Sequence, residues 1–143
     1  MFCETTRPMS ATDLVFCVLW ASRLALQSDV SAVKQIWQSS RRRNSELGLT
    51  GVAVFDGERV CELLEGPIDD ISAVYRDVEF DPRLSELQVL HICPAGAPRR
   101  MTQWRSGYCD AAALDQFFGH NGVWGEAAVS AFVALLPRCE LSP

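Results

Sequence analysis

The sequence predicts an α+β fold in which strands and helices alternate along a chain of 143 residues. An unbroken apolar run at positions 14–21 is typical of a strand that is buried on both faces. The pair Asp56-Gly57 lies between two apolar segments, which is a strong local signal for a β-hairpin. Apolar residues spaced three and four apart flank this hairpin on both sides, which indicates two amphipathic helices.

The first helix and the hairpin follow the first strand. Ser28-Asp29 supply oxygen atoms that cap a helix, and the helical spacing after them continues to the arginines at 41–43. Because the turn is centred on Asp56-Gly57, the two strands of the hairpin are predicted at 49–55 and 59–65.

A second helix and two more strands complete the predicted domain. The helix follows Gly66-Pro67 and ends at Asp81-Pro82, because proline disfavours a helical conformation at the residue before it. Strands are predicted at 87–92 and 101–104, and the Pro- and Gly-rich segment 93–100 is predicted as a loop between them.

The order β-α-β-β-α-β with one additional strand is the ferredoxin-like arrangement, a sheet with two helices on one face. The first strand is apolar on both sides, so the opposite face of the sheet also needs a cover. The segments 111–118 and 127–136 are predicted to be helices that provide it. We therefore expect an N-terminal tail at 1–12, a domain at 13–108 and a C-terminal helical extension at 109–143.

Composition excludes several classes of function. The net charge is −5 and no basic face is evident, which argues against a nucleic-acid partner. The six cysteines are scattered without a C-x-x-C pair, so no metal site is predicted. The longest apolar run is too short to span a bilayer, and no signal-peptide pattern begins the chain. We expect no membrane partner, a cytoplasmic location and reduced thiols.

Glu62 places a carboxylate in the middle of a predicted strand. It shares one strand face with Val60 and Leu64, where an unpaired charge is costly, so it needs a hydrogen-bonding partner or a proton. Glu65, by contrast, lies near the strand end, where we expect it to reach water.

Trp20 is the predicted partner of this carboxylate. The first and third strands are neighbours in a ferredoxin-like sheet, so Trp20 is expected to face Glu62 on the helix side. Its indole N–H can donate a hydrogen bond to the carboxylate. Burial raises the pKa of a carboxyl group and such a hydrogen bond lowers it; the sequence leaves open which effect is larger.

Beyond these elements, the sequence resembles the BLUF family, which comprises flavin-binding sensors of blue light. The resemblance spans roughly residues 13–108 and implies FAD as cofactor and a sensory role without enzymatic activity. The family's motifs are matched by Asn44, Leu49-Thr50-Gly51, Leu64-Glu65-Gly66, Asp81-Pro82-Arg83, and Arg100 with Trp104.

Three positions depart from the family's pattern at its photochemical site. In the family, a Tyr on the first strand and a Gln on the third contact the isoalloxazine ring, and the resemblance places Trp20 and Glu62 there. Ser106 falls where the family has a Met near the last strand. A Glu cannot reproduce the rearrangement of an amide, so we expect the usual reversible red shift under blue light to be absent.

The other candidate site residues keep two interpretations each. The resemblance implies that Asn44 contacts the edge of the flavin ring, but it can instead cap the first helix. Arg43 can approach a cofactor phosphate or interact with the negative end of the helix dipole. Trp20 and Trp104 either line the flavin site or pack in the core.

These observations favour a BLUF-like sensory or regulatory domain with an altered or absent light response, acting through a protein partner or a homo-oligomer. Whether FAD is bound stays open. A flavin-free interaction module on the same fold is the alternative. An acylphosphatase-like enzyme shares the element order, but the segment after Arg23 lacks the glycines of an anion-binding loop.

Overall fold

The computed structural model describes residues 14–95 and 99–143. The predicted tail at 1–12 and the centre of the predicted loop at 93–100 lie outside these residues. Strands and helices are found at β1 (Val15–Leu24), α1 (Val30–Glu46), β2 (Thr50–Phe55), β3 (Arg59–Pro67), α2 (Ile68–Glu79), β4 (Leu84–Pro94), β5 (Trp104–Tyr108), α3 (Gly125–Leu135) and β6 (Glu140–Ser142), with short 3₁₀ helices at Asp115–Phe117 and Leu136–Arg138.

The strands form one six-stranded sheet in the order β4-β1-β3-β2-β5-β6. β1 lies between β3 and β4 and is antiparallel to both, while β5 runs parallel to β2. The predicted α+β, ferredoxin-like fold is confirmed, including the adjacency of the first and third strands.

Local hydrogen bonds explain where the first helix and the hairpin turn occur. Asp29 caps α1 because its side chain accepts a hydrogen bond from the Ser31 backbone N–H. In the turn, the Asp56 carboxylate accepts hydrogen bonds from the N–H groups of Glu58 and Arg59 at 3.1 and 2.9 Å. Gly57 follows with φ of 101°, a backbone conformation that glycine adopts most easily.

The sheet separates two apolar cores. On one face, Val18, Trp20 and Leu64 pack with residues of α1 and α2. On the other face, Leu19 packs with residues of α3 such as Phe132. The C-terminal helix therefore covers the sheet face opposite the first two helices, as predicted, and the candidate site lies on the face of α1 and α2.

Three predictions about the C-terminal half are wrong. Residues 111–118 form turns and a 3₁₀ helix, because Ala112 has φ of 67° and the Leu114 N–H bonds the Asp56 carboxylate. The fifth strand starts later than predicted, at Trp104, because the Met101 N–H bonds a carboxylate rather than a strand. Cys93 and Pro94 belong to β4, and β6 was not predicted.

Candidate functional site

The register of four strands aligns the candidate residues in a row across the sheet. Trp20 on β1 lies opposite Glu62 on β3, and Glu62 lies opposite Ala53 on β2. Ala53 in turn lies opposite Ser106 on β5. Residues that are far apart in sequence are therefore neighbours on the sheet face that α1 and α2 cover.

Glu62 accepts hydrogen bonds from two indoles. Nε1 of Trp20 donates to Oε1 at 3.1 Å, and Nε1 of Trp104 donates to Oε2 at 2.9 Å. The side chain is buried, with 6% of the residue exposed, so each oxygen depends on these donors rather than on water. The predicted contact between Trp20 and Glu62 is present, while the contact with Trp104 was not anticipated.

The pKa of Glu62 is raised above its ordinary value of 4.5 because the carboxyl group is buried. The Trp104 N–H, the Arg43 guanidinium and the Trp20 N–H all oppose this rise in pKa, but they do not cancel it. The structure thereby answers the question that the sequence left open: desolvation has the larger effect.

Further aromatic rings enclose this group. The Trp20 ring meets Tyr75 edge-on, with centroids 5.7 Å apart, and the Trp104 ring meets Trp37 in the same way at 6.3 Å. Nε1 of Trp37 is buried without a hydrogen-bonding partner in the described part of the chain. The Trp37 N–H is thus a donor at the site that bonds to none of the described residues.

Asn44 is completely buried near the end of α1. Its Oδ1 accepts a hydrogen bond from Nε of Arg43 at 3.2 Å, whereas its Nδ2 has no partner among residues 14–95 and 99–143. The capping bonds at this helix end are made by the Leu47 N–H, so the Asn44 side chain is not needed as a cap. An unpaired buried amide donor is costly unless a ligand accepts from it.

A cleft of about 370 Å³ opens between α1 and the end of α2, which is at the lower end of the range for small-molecule sites, about 300–1,000 Å³. Arg43 lies in the cleft and donates to Ser40 and Asp77 at 3.5 and 3.4 Å. Arg83, also in the cleft, is paired with Asp81 at 2.7 Å. Asp81 and Arg83 were noted in the sequence only as a family motif and not as site residues.

The arginines at 41–43 and Glu65 differ from expectation. Two of the arginines bond inward, since Arg43 contacts Asn44 and Arg41 donates to the buried Ser106 hydroxyl at 3.3 Å. Only Arg43 was a candidate from the sequence, so the inward contact of Arg41 was not predicted. Glu65 does not reach water either, because only 1% of it is exposed.

Backbone groups after β4 take the place of water at Glu65. Its carboxylate accepts hydrogen bonds from the N–H groups of Arg100 and Met101 at 2.8 and 3.0 Å, and from the Thr50 hydroxyl at 3.1 Å. Glu65 is therefore buried by a later segment of the chain that covers the end of β3. No local sequence pattern predicts this contact.

Comparison with known proteins identifies the protein family that this chain resembles. The family described as "BLUF: Sensors of blue-light using FAD" matches residues 15–107. Among curated relatives, the "Blue light- and temperature-regulated antirepressor BluF" of Escherichia coli (strain K12) is 28% identical over 83 residues, which cover 58% of this chain and 20% of that protein. The "Photoactivated adenylate cyclase subunit beta" of Euglena longa is 26% identical over 101 residues, covering 71% and 10%. The matches thus cover at most a fifth of these two relatives.

Solved structures agree with this assignment. The structure titled "BlrB - a BLUF protein, dark state structure" superposes with a TM-score of 0.64 at 25% identity, covering 87% of this chain and 86% of that one. The "BlsA photo-activated state" shares the fold, with a TM-score of 0.64 at 15% identity over 76% and 81% of the two chains. No helix within the described residues has the length and apolar character needed to cross a membrane. The sequence and the fold together show that this chain belongs to the BLUF family of sensors of blue light that use FAD.

Proposed function

We propose that the chain is a sensory or regulatory domain that binds FAD between α1 and α2 and lacks the reversible red shift of its family. In this proposal it acts through a protein partner or a second copy of itself. The observation that carries the proposal is the buried Glu62, whose two oxygens each accept an indole N–H.

Several residues support a bound flavin. The Asn44 amide presents a donor that has no partner among the residues the structure describes, and this donor suits an acceptor atom of the flavin ring. Arg43 and Arg83 supply positive charge in the cleft, which suits the phosphates of FAD. When bound, the flavin would supply the absorption of blue light. The chain's own contribution is to orient it and to offset its charge.

The hydrogen-bonding groups of Trp20 and Glu62 explain the missing red shift. A carboxylate only accepts hydrogen bonds, and an indole only donates one, so neither side chain can exchange the donor and acceptor roles that an amide offers. Both oxygens of Glu62 are already engaged. A rearrangement would have to break an indole bond without gaining an amide donor in return.

An absorption spectrum of the purified chain tests this proposal, with and without added FAD, in darkness and after blue light. We expect a bound flavin whose spectrum does not shift reversibly. The Trp20→Tyr/Glu62→Gln double variant should restore a shift, and Trp37→Phe is the control because its indole N–H makes no hydrogen bond within residues 14–95 and 99–143. A red shift in the unaltered protein that recovers in darkness would contradict the proposal.

The second candidate function is a flavin-free interaction module. It is favoured by the contacts that Glu62 makes within the protein, where Trp20 and Trp104 donate to its carboxylate and Trp37 packs edge-on against Trp104. This alternative predicts a colourless folded protein whose melting temperature does not change when FAD is added. Light scattering would then separate a homo-oligomer from a domain that needs another protein.

The proposed protein partner has support from one relative. The Escherichia coli protein similar to this chain is named an antirepressor, a class of protein that acts on another protein. We extend this mode of action to the present chain. Co-purification of a stoichiometric partner, or self-association in solution, is the corresponding observation.

A further inference from the structure

The last two strands bring Cys109 and Cys139 together although the C-terminal helix separates them in sequence. In the antiparallel pair β5–β6, Gly107 lies opposite Leu141 and Tyr108 lies opposite Glu140. Continuing this register by one residue places Cys109 opposite Cys139. Both thiols are half-buried at the edge of the core that α3 covers.

Hydrogen bonds to the main chain hold both cysteines. The Cys139 thiol donates to the Leu135 carbonyl oxygen at 3.5 Å, near the end of α3. The Cys109 backbone N–H is fixed to the Phe55 carbonyl oxygen at 2.9 Å. Both cysteines are therefore held in place at opposed positions. Burial raises the pKa of both thiols, and the neighbouring Cys139 raises that of Cys109 further, so alkaline pH favours the thiolates that the reaction needs.

Opposed residues in an antiparallel pair have Cα atoms about 4.5–5.5 Å apart, and disulfides span about 4.4–6.8 Å between Cα atoms. We propose that Cys109 and Cys139 form a reversible disulfide that fastens the C-terminal segment to β5. Only rotation of the two side chains is needed. The proposal does not depend on flavin binding.

The reaction is an exchange with a small-molecule disulfide such as oxidised glutathione. The Cys139 thiolate attacks one sulfur of that disulfide and releases one small thiolate, which takes up a proton. The Cys109 thiolate then attacks the Cys139 sulfur of the mixed disulfide and releases the second. Two protein S–H bonds and one S–S bond are lost, and one protein S–S bond and two small-molecule S–H bonds are formed.

The Cys109–Cys139 cross-link would also affect the candidate site. β5 also carries Trp104 and Ser106, which face Glu62 and Arg41. A bond between Cys109 and Cys139 joins the segment containing α3 and β6 to the strand that supplies these two residues. Oxidation would thus restrict movement of the C-terminal segment relative to the site.

Another opposed cysteine pair provides an internal comparison. Cys17 lies opposite Cys93 on β1 and β4, but β1 is an interior strand between β3 and β4. Cys17 is also only 4% exposed, and Cys61 on β3 is fully buried. Access to a small-molecule disulfide therefore favours the pair Cys109–Cys139.

The test incubates the reduced full chain with a series of ratios of reduced to oxidised glutathione in mildly alkaline buffer. Trypsin cleavage under non-reducing conditions follows. The chain has no Lys or Arg between Arg105 and Arg138, so a disulfide would join the peptide 106–138 to the peptide 139–143. We expect this linked pair, a loss of two of the six thiols, and full reversal by dithiothreitol.

Cys109→Ser and Cys139→Ser should each abolish the linked peptide, whereas Cys93→Ser should leave its yield unchanged. Circular dichroism establishes that each variant is folded. The proposal is overturned if the folded protein keeps both thiols free at every ratio, or forms only mixed disulfides with glutathione. A link from Cys109 to Cys61 instead of Cys139 would equally overturn it.

Discussion

Replacing Trp104 by Phe removes one hydrogen-bond donor from the buried carboxylate of Glu62. The Trp104 N–H lies 2.9 Å from Oε2, and with only 6% of Glu62 exposed, water cannot readily replace it. Hydrogen bonds to charged groups contribute about 1.5–3 kcal/mol. We therefore expect Trp104→Phe to lower the free energy of unfolding by about 1.5–3 kcal/mol more than the loss of ring size alone, or about 4–10 °C in melting temperature.

Trp37→Phe is the matched control for ring size. Trp37 is buried to a similar extent and packs edge-on against Trp104, but its indole N–H makes no hydrogen bond in the described part of the chain. The difference between the two variants therefore isolates the indole N–H. Urea unfolding followed by far-ultraviolet circular dichroism measures both, because it does not depend on tryptophan fluorescence.

The pH dependence of the free energy of unfolding provides a second test of the Trp104–Glu62 hydrogen bond. The Glu62 pKa is raised in the folded protein, so its contribution to stability is fully present below its ordinary pKa of 4.5 and is lost as pH rises through the raised value. Removing the Trp104 donor raises this pKa further, so the cost of Trp104→Phe should be largest at neutral pH and should shrink in acid. Equal stabilities of Trp104→Phe and Trp37→Phe at neutral pH would refute the reasoning.

Three further predictions concern the buried Asn44 amide, the second buried acid and the hairpin. Asn44→Leu removes an amide donor that has no partner in the described part of the chain, together with the acceptor of the Arg43 Nε hydrogen bond, so stability without ligand should fall by no more than about 1 kcal/mol, while FAD affinity should fall about tenfold or more in a fluorescence titration. Glu65→Gln replaces one acceptor oxygen by an amide NH2 donor that faces a backbone N–H donor, and denaturant unfolding should show a loss of about 1.5–3 kcal/mol. Gly51→Ala should cost more than about 3 kcal/mol or prevent folding, because its Cβ would lie 2.1 Å from the Leu63 carbonyl oxygen, whereas Gly57→Ala meets no atom within 4 Å and should cost about 1 kcal/mol.

The contact between Trp20 and Glu62 shows how far sequence reasoning reaches into the site. The alternation of strand side chains assigns each residue to a face, and the element order makes β1 and β3 neighbours. These two rules together predict that the residues meet, and they do so at 3.1 Å. The second donor, Trp104, was not predicted as a partner because β5 pairs with β2 through a long-range parallel register.

Glu65 shows the opposite case. Its place near a strand end suggested exposure to water, but backbone groups after β4 fold over it and donate two hydrogen bonds. The segment 111–118 is similar, since its apolar spacing suggested an α-helix. The Asp56 carboxylate instead takes one of its backbone N–H groups, at Leu114, and Ala112 adopts a positive φ.

The sequence by itself determined the order of the elements from β1 to β5, the two-sided burial of β1, the hairpin turn at Asp56-Gly57 and the unusual position of Glu62, because each depends on residues close together in the chain. Only the tertiary structure decided what surrounds that carboxylate, that the Asn44 amide nitrogen has no partner among the described residues, and which cysteines lie opposite each other. Those properties arise where strands and loops distant in sequence pack together, and their register depends on the whole sheet rather than on any local pattern.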